Sequence, residues 1–332
     1  MTRRWSLALA GLVVLTGCAS SVASPSSPHA GPPPSTTTPS RATGALSTGS
    51  TPTTTPPCTD PTPSWRPLQA MPARGAMPAN TFEETILKRG YLKAGVSGDT
   101  YGFGYVDPAT LQLQGLDVEI LKEIATAIFG RADSTVLKLI PITIPQVPRA
   151  IDSDQVDIVA HTMTVTCSRR TQEDFSSVYL VAHQRLLVGK DSGITSLGQL
   201  AGKKVCAAAG TTSINNIKKL APAAIAVPVA SETDCLVQFQ TGGVDAVSTD
   251  DTILDGMAKQ DPYSHVVGPF LTPEPYGLAI SLTHPEFTRF VNGVLARMLS
   301  GETDGTLAKL YASALNVDTT AVPLPGTTKY RD

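Results

Sequence analysis

The stretch Asp154-Gln155-Val156-Asp157-Ile158-Val159-Ala160 is answered later in the chain by Gly242-Gly243-Val244-Asp245-Ala246-Val247-Ser248. Each follows a helical pattern, places one aspartate in a short apolar run, and enters a polar turn rich in threonine. A short apolar run bounded by turn residues reads as a buried strand. Two such strands, each aimed at a polar loop, predict two α/β lobes that face each other. Ligands of open parallel sheets sit beyond the carboxyl ends of the strands, so two such edges brought together form a cleft.

Strands and helices alternate outward from this pair. Asn80 with Glu83 reads as a capping box, and Gly90 ends that helix ahead of a strand at Leu92 to Val96. Leu121, Ile124, Ala125 and Ile128 make an apolar helical face that stops at Gly130. Val136 to Ile142 reads as a strand and Val147 to Asp152 as a short helix. A second series places strands at Lys204 to Ala208, Ile225 to Val229 and Val244 to Ser248, with helices from Ser213 to Leu220 and Asp234 to Gln240. Two helices follow, Pro285 to Leu299 and Thr303 to Ala314.

The N-terminus reads differently. Thr2-Arg3-Arg4 precedes an apolar run from Leu7 to Leu15, too short to span a bilayer, and Leu15-Thr16-Gly17-Cys18 follows at once. This resembles a bacterial lipoprotein signal, which implies a leader at 1–17 and a lipid on Cys18. From Ala19 to Trp65 the chain is mostly Ser, Thr and Pro, with charge only on Arg41 and Asp60. So little apolar surface does not offset the entropy of ordering, so 18–65 is expected to be a disordered tether. About 265 residues remain for the lobes. A net charge of −2 and 41% hydrophobic residues are ordinary for a globular chain. No basic cluster suggests nucleic acid. With Cys18 lipidated, Cys58, Cys167, Cys206 and Cys235 read as two disulfides with three possible connectivities, and no CxxC spacing suggests a metal.

The turns carry a resemblance. Gly115-Leu116-Asp117-Val118-Glu119-Ile120, Val156 to Arg170, Gly202 to Ser213, Val244 to Leu254 and Pro275-Tyr276-Gly277-Leu278-Ala279 occur in order. Over Phe82 to Ala314 the chain resembles the type 2 periplasmic binding proteins of the polar amino-acid family, solute-binding protein family 3. Within it the pattern is similar to the actinobacterial glutamine-binding lipoproteins of ABC transporters. The resemblance implies a Venus-flytrap: lobe 1 from 80–182 and 274–316, lobe 2 from 183–273, a tail at 317–332, and hinge crossings near Leu180 to Leu187 and Phe270 to Tyr276. It implies no enzyme, no cofactor and no metal. The expected molecule is a monomer on the outer face of the cell membrane that delivers glutamine, glutamate, aspartate or asparagine to a permease. A lipoprotein that senses an amino acid for a membrane partner is the alternative, and an enzyme on the same fold a third.

The residues fit that expectation. A zwitterion needs a cation at its carboxylate and an anion at its ammonium. Arg169, just past Thr162-Met163-Thr164-Val165-Thr166, carries a planar fork suited to a carboxylate, where a surface ion pair is the plainer reading. Thr162 and Thr164 match family positions that offer polar groups to the ligand. Thr211 and Thr212 open a helix, whose free N–H groups favour an anion. Asp250 aligns with the acceptor of the ligand ammonium, and Asp251 with a helix cap. Side-chain selectivity falls to Thr100 or Tyr101 and to Ile144, with His161 an added polar candidate or a structural partner. Ser97 stands where an acidic residue is common, and Arg149 lies two residues from a position that carries arginine in binders of acidic amino acids. Cys206 and Cys235 fall in one expected lobe and are expected to pair, leaving Cys58 to Cys167.

Overall fold

The computed structural model describes residues 58–332, so the leader, Cys18 and most of the expected tether lie outside the described residues. Lobe 1 holds a five-stranded sheet in the order Leu137–Pro141, Leu92–Val96, Ile158–Ala160, Ala279–Ser281, Glu173–Phe175. Lobe 2 holds the order Ile225–Val229, Lys204–Ala208, Ala246–Asp250, Leu180–Gly189, Ser264–Val267. The first three strands of each sheet are parallel and follow one rule, second–first–third in chain order.

The repeated aspartate explains this equivalence. Asp157 Oδ2 accepts the N–H of Lys93 at 2.7 Å, and its own N–H donates to the Lys93 carbonyl at 2.8 Å. Asp245 Oδ2 accepts the N–H of Lys204 at 2.8 Å, and its N–H donates to the Lys204 carbonyl at 2.9 Å. In each lobe the aspartate therefore staples the entry of the third strand to the start of the first. It occupies the approach to the strand, which begins at Ile158 or Ala246, later than the apolar run suggested.

Helices bury their apolar faces on both sides of each sheet. In lobe 1, Leu116–Phe129 and Pro285–Leu299 pack Ile120, Ile124, Phe287 and Phe290 over one face. Val147–Asp152 covers the other with Val147 and Ile151. In lobe 2, Thr212–Leu220 buries Ile214 and Ile217, while Leu236 and Leu254 cover the opposite face. The Phe82–Arg89 cap is Thr81, whose side chain accepts from Glu84 N–H, one residue later than expected. Asn80 instead holds a positive φ of 63°.

One strand joins the lobes. Leu180–Gly189 begins in the lobe 1 core with Leu180 and Ala182 and ends in the lobe 2 core with Leu186 and Val188. Pro273–Tyr276 returns antiparallel along its first half, pairing Tyr276 with Leu180 and Pro273 with His183. These are the two crossings. The disulfides join Cys206 to Cys235 and Cys58 to Cys167, as expected.

The tether boundary needs correction. Residues 58–65 are part of the folded body: Ser64 is fully buried, and its Oγ donates to the Phe175 carbonyl at 2.7 Å. The tail returns to the same place, where Ser64 bridges Tyr330. Both ends converge on Asp174, 2% exposed, which accepts from Trp65 Nε1 at 2.8 Å, Thr288 Oγ1 at 3.0 Å, Arg170 at 3.2 Å and Arg331 at 2.6 Å. Arg331 also lies 4.1 Å over the Trp65 ring. A low-complexity composition gave no sign of this, because the docking rests on single residues: the Cys58 bridge, Ser64, Trp65, and the Pro61 and Pro63 carbonyls that accept from Arg170. Removing a partner from a buried charge network typically costs ~3–5 kcal/mol. Asp174→Ala is therefore expected to lower unfolding free energy by about that much in a urea titration, and a loss under 1 kcal/mol would rule out this anchoring role.

Candidate functional site

Every parallel strand of both lobes delivers its carboxyl-terminal loop to one cleft. From lobe 1 come Asp99 and Thr100, then Thr143 and Ile144, then His161, Thr162 and Thr164, with Arg169 beyond. From lobe 2 come Thr211 to Ser213, then Ser231 and Glu232, then Thr249 and Asp250. The cavity between these loops is about 50 Å³, room for a few water-sized groups, so the two lobes stand close together around it. The lobes touch across it: Thr233 N–H donates to Asp99 Oδ2 at 3.0 Å, and Arg169 Nη2 reaches the Gly210 carbonyl at 3.3 Å. Gly210 has a φ of 76°, and a Cβ there would lie 2.9 Å from Pro145 of the opposite lobe, so glycine serves both the turn and the closure.

Arg169 and Asp250 line this cleft from opposite lobes. Arg169 Nη1 donates to the Thr164 carbonyl at 2.7 Å, which aims the guanidinium inward. Asp250 is 4% exposed; Oδ2 accepts from Tyr276 Oη at 2.6 Å, while Oδ1 is buried without a partner. Burial, with the Glu274 charge nearby, holds the Asp250 carboxyl well above the usual range despite the Tyr276 bond. Such a group gains most from a cation placed against its free oxygen.

The threonines are mostly committed. Thr162 Oγ1 donates to the His161 carbonyl and its N–H to Asp117 Oδ2 at 2.9 Å. These bonds hold Thr162 at a φ of 44°, which a β-branched residue rarely adopts, so the loop is locally strained at the cleft. Thr211 Oγ1 caps the helix by accepting from Ile214 N–H, leaving the first-turn N–H groups at Thr212 and Ser213 without an intrahelical partner. Thr164 and Thr212 hydroxyls, from opposite lobes, both donate to Glu274 Oε2 at 2.8 Å. What these residues offer the cleft is therefore chiefly backbone.

Several expectations shift. Tyr101 does not line the cleft; Thr100 ends the strand that reaches it, while Tyr101 stands in the following turn and packs against Tyr105 and Gly256. Arg149 is exposed and away from the cleft. Asp251 receives the His183 N–H at 3.0 Å instead of acting as the helix cap, a position Asp250 occupies. His161 is both structural and cleft-lining: Nε2 lies 2.9 Å from the Ile142 carbonyl, and Nδ1 is buried without a partner.

Sequence reasoning missed Glu274, Glu232 and Asp117. Glu274 is 1% exposed and receives Thr272, Asn216, Thr164 and Thr212, so hinge and both lobes satisfy one carboxylate. Asp117 was visible within the Gly115 motif, yet its role, holding Thr162 and Tyr179, depends on tertiary placement. Burial pushes its carboxyl up to about 6 against those bonds.

A family model of bacterial extracellular solute-binding proteins, family 3, matches residues 92–316. The chain belongs to this family. It is 38% identical over 200 residues to a glutamine-binding protein of Geobacillus stearothermophilus, covering 60% of this chain and 75% of that protein. To an ABC transporter glutamine-binding protein of Bacillus subtilis it is 34% identical over 225 residues, covering 68% and 81%. A cysteine-binding protein of Campylobacter jejuni superposes with a TM-score of 0.68 at 26% identity, covering 74% of this chain and all of that one. In this solute-binding protein one arginine, Arg169, and three carboxyl side chains, Asp99, Glu232 and Asp250, line the cleft.

Burial and the charge of Asp99 push the Glu232 carboxyl up to about 8. The native state thus keeps a proton that the unfolded chain releases near its ordinary 4.5. Native protein binds more protons in that window, so ligand-free stability falls as pH rises from about 4.5 to about 8. Glu232→Gln should flatten that fall by a few kcal/mol, to order of magnitude, in denaturant titrations at pH 5 and pH 8. An unchanged slope would contradict the buried, protonated carboxyl.

Proposed function

We propose that this solute-binding protein captures a polar α-amino acid (glutamine, glutamate, aspartate or asparagine) between its lobes. The observation that carries the reading is Arg169 and the unpartnered Oδ1 of Asp250 facing one cleft from opposite lobes. The arginine fork and the first-turn N–H groups of the Thr212–Leu220 helix suit an α-carboxylate. Asp250 suits the α-ammonium. Contacts drawn from both lobes exist together only when the cleft is closed, so ligand shifts the population toward closure. Glu274 adds to this, since its donors also come from both lobes.

Closed protein would then dock on an ABC-type permease, the partner class named for the Bacillus subtilis relative. Anchoring outside the cytoplasmic membrane rests on the leader and the Leu15-Thr16-Gly17-Cys18 signal. The Ser/Thr/Pro-rich segment after it would hold the body away from the lipid.

Two experiments test these statements. Truncating one side of a buried charged contact costs ~2–5 kcal/mol, so Arg169→Ala and Asp250→Ala should each weaken amino-acid binding by well over ~10-fold in calorimetry. Wild type at about a hundred times its Kd should gain roughly 2.7 kcal/mol of stability, and the variants should lose most of that increment while folding normally. Wild-type affinity in both folded variants would place the site elsewhere. For the anchor, Cys18→Ala is expected to release the protein from the membrane fraction or to leave the precursor unprocessed. Retention and processing like the wild type would refute lipidation.

A further inference from the structure

Besides Arg169 and Asp250, the cleft lining holds two side chains more than nine-tenths buried that have polar atoms without partners: Oε2 of Glu232, 8% exposed, and Nδ1 of His161, 9% exposed. They come from opposite lobes, Glu232 from the helix Glu232–Gln240 and His161 from the loop after Ile158–Ala160. Neither is used in gripping the α-carboxylate or α-ammonium. Buried polar atoms left unpaired are costly, so a ligand group that satisfies both is favoured there. We propose that Glu232 and His161 form the subsite that reads the ligand side chain, and that it selects a terminal carboxamide over a carboxylate. This rests on the amino-acid reading of the same cleft.

The donor and acceptor pattern decides the class. The Ile142 carbonyl only accepts, so His161 Nε2 carries the hydrogen and Nδ1 presents a lone pair. Burial pulls the imidazole down, which keeps it neutral. Nδ1 therefore needs an N–H. Glu232 Oε1 accepts weakly from Thr249 Oγ1 at 3.4 Å, which leaves Oε2 as the hydroxyl when the carboxyl is protonated. Its burial favours that neutral form at pH 7. The subsite thus offers one acceptor and one O–H donor. A carboxamide matches both: its N–H donates to His161 Nδ1 and its carbonyl accepts from Glu232.

A carboxylate satisfies only half of this pattern, accepting from Glu232. It has no N–H for Nδ1, and it meets Asp99, whose carboxylate accepts from Ser97 Oγ at 2.9 Å and also lines the cleft. Arg169 is the single lysine or arginine among the residues lining the cleft, and the α-carboxylate occupies it. A side-chain carboxylate therefore finds no cation. A cationic side chain would satisfy the acceptors only if Glu232 were ionised.

Calorimetry of wild type, Glu232→Gln and Glu232→Leu with glutamine, asparagine, glutamate, aspartate and arginine tests this, with folding checked by melting temperature. Wild type should bind one of the amides at least ~10-fold more tightly than its acid. Glu232→Gln, which keeps one donor and one acceptor, should bind that amide within about threefold of wild type. Glu232→Leu should lose at least ~10-fold for the amide while the acid changes little, so the preference collapses. Equal binding of amide and acid by wild type, or an unchanged preference in Glu232→Leu, overturns the inference. So does tighter binding of arginine that Glu232→Gln abolishes, because the subsite would then belong to a cation. Amino-acid binding with an unmoved preference sinks this inference alone, whereas no binding of any of the five by wild type sinks the amino-acid reading beneath it.

Discussion

The strand Leu180–Gly189 is the constraint on which the molecule depends, because its two halves belong to different cores. Its first half is tied to lobe 1 by Leu180 and Ala182 and to the returning strand Pro273–Tyr276. Its second half runs between Ala246–Asp250 and Ser264–Val267 as a central strand of lobe 2. Neither half leaves its sheet without losing a ladder of hydrogen bonds, so the lobes move as bodies about the junction between them. That junction carries Glu274, a buried carboxylate whose donors come from hinge and both lobes. A carboxylate so placed keeps all of these donors only where the lobes meet, so separating the lobes costs it hydrogen bonds that water must replace.

Electrostatics then divide the cleft into two ends. Arg169 and the open helix N-terminus make one end suited to an anion. Asp250 lies beside Tyr276 and within range of the Glu274 charge, and its free oxygen is the strongest demand for a cation. Beyond it, Asp99 and Glu232 leave the remaining space acidic or hydrogen-bonding, with His161 as a neutral acceptor. The strain at Thr162 belongs to the same design. Asp117 and Tyr179, both buried, hold the loop in a backbone conformation that threonine would otherwise avoid, so the loop is set before any ligand arrives.

The two chain ends do comparable work at the far side of lobe 1. Asp174 collects Trp65, Arg170, Thr288 and Arg331, and the Cys58–Cys167 bridge fastens the entering segment to the loop that carries Arg169. The described part of the chain therefore begins beside the binding loop.

By itself the sequence determined the α/β class, the paired strands and most helix limits. Those follow from local matters: apolar period, turn residues, and the aspartate repeated before Ile158 and Ala246. Arg169 and Asp250 were singled out through the family resemblance, and the fold brings both to one cleft. Tertiary structure alone decided which neighbour faces the cleft, Thr100 at the end of its strand and not Tyr101, which the following turn carries against Tyr105. It alone made Glu274, Glu232 and Asp117 important, because each draws its role from burial among residues far away in the chain. A carboxylate in a sequence reads as solvated, and only the packed fold removes the water.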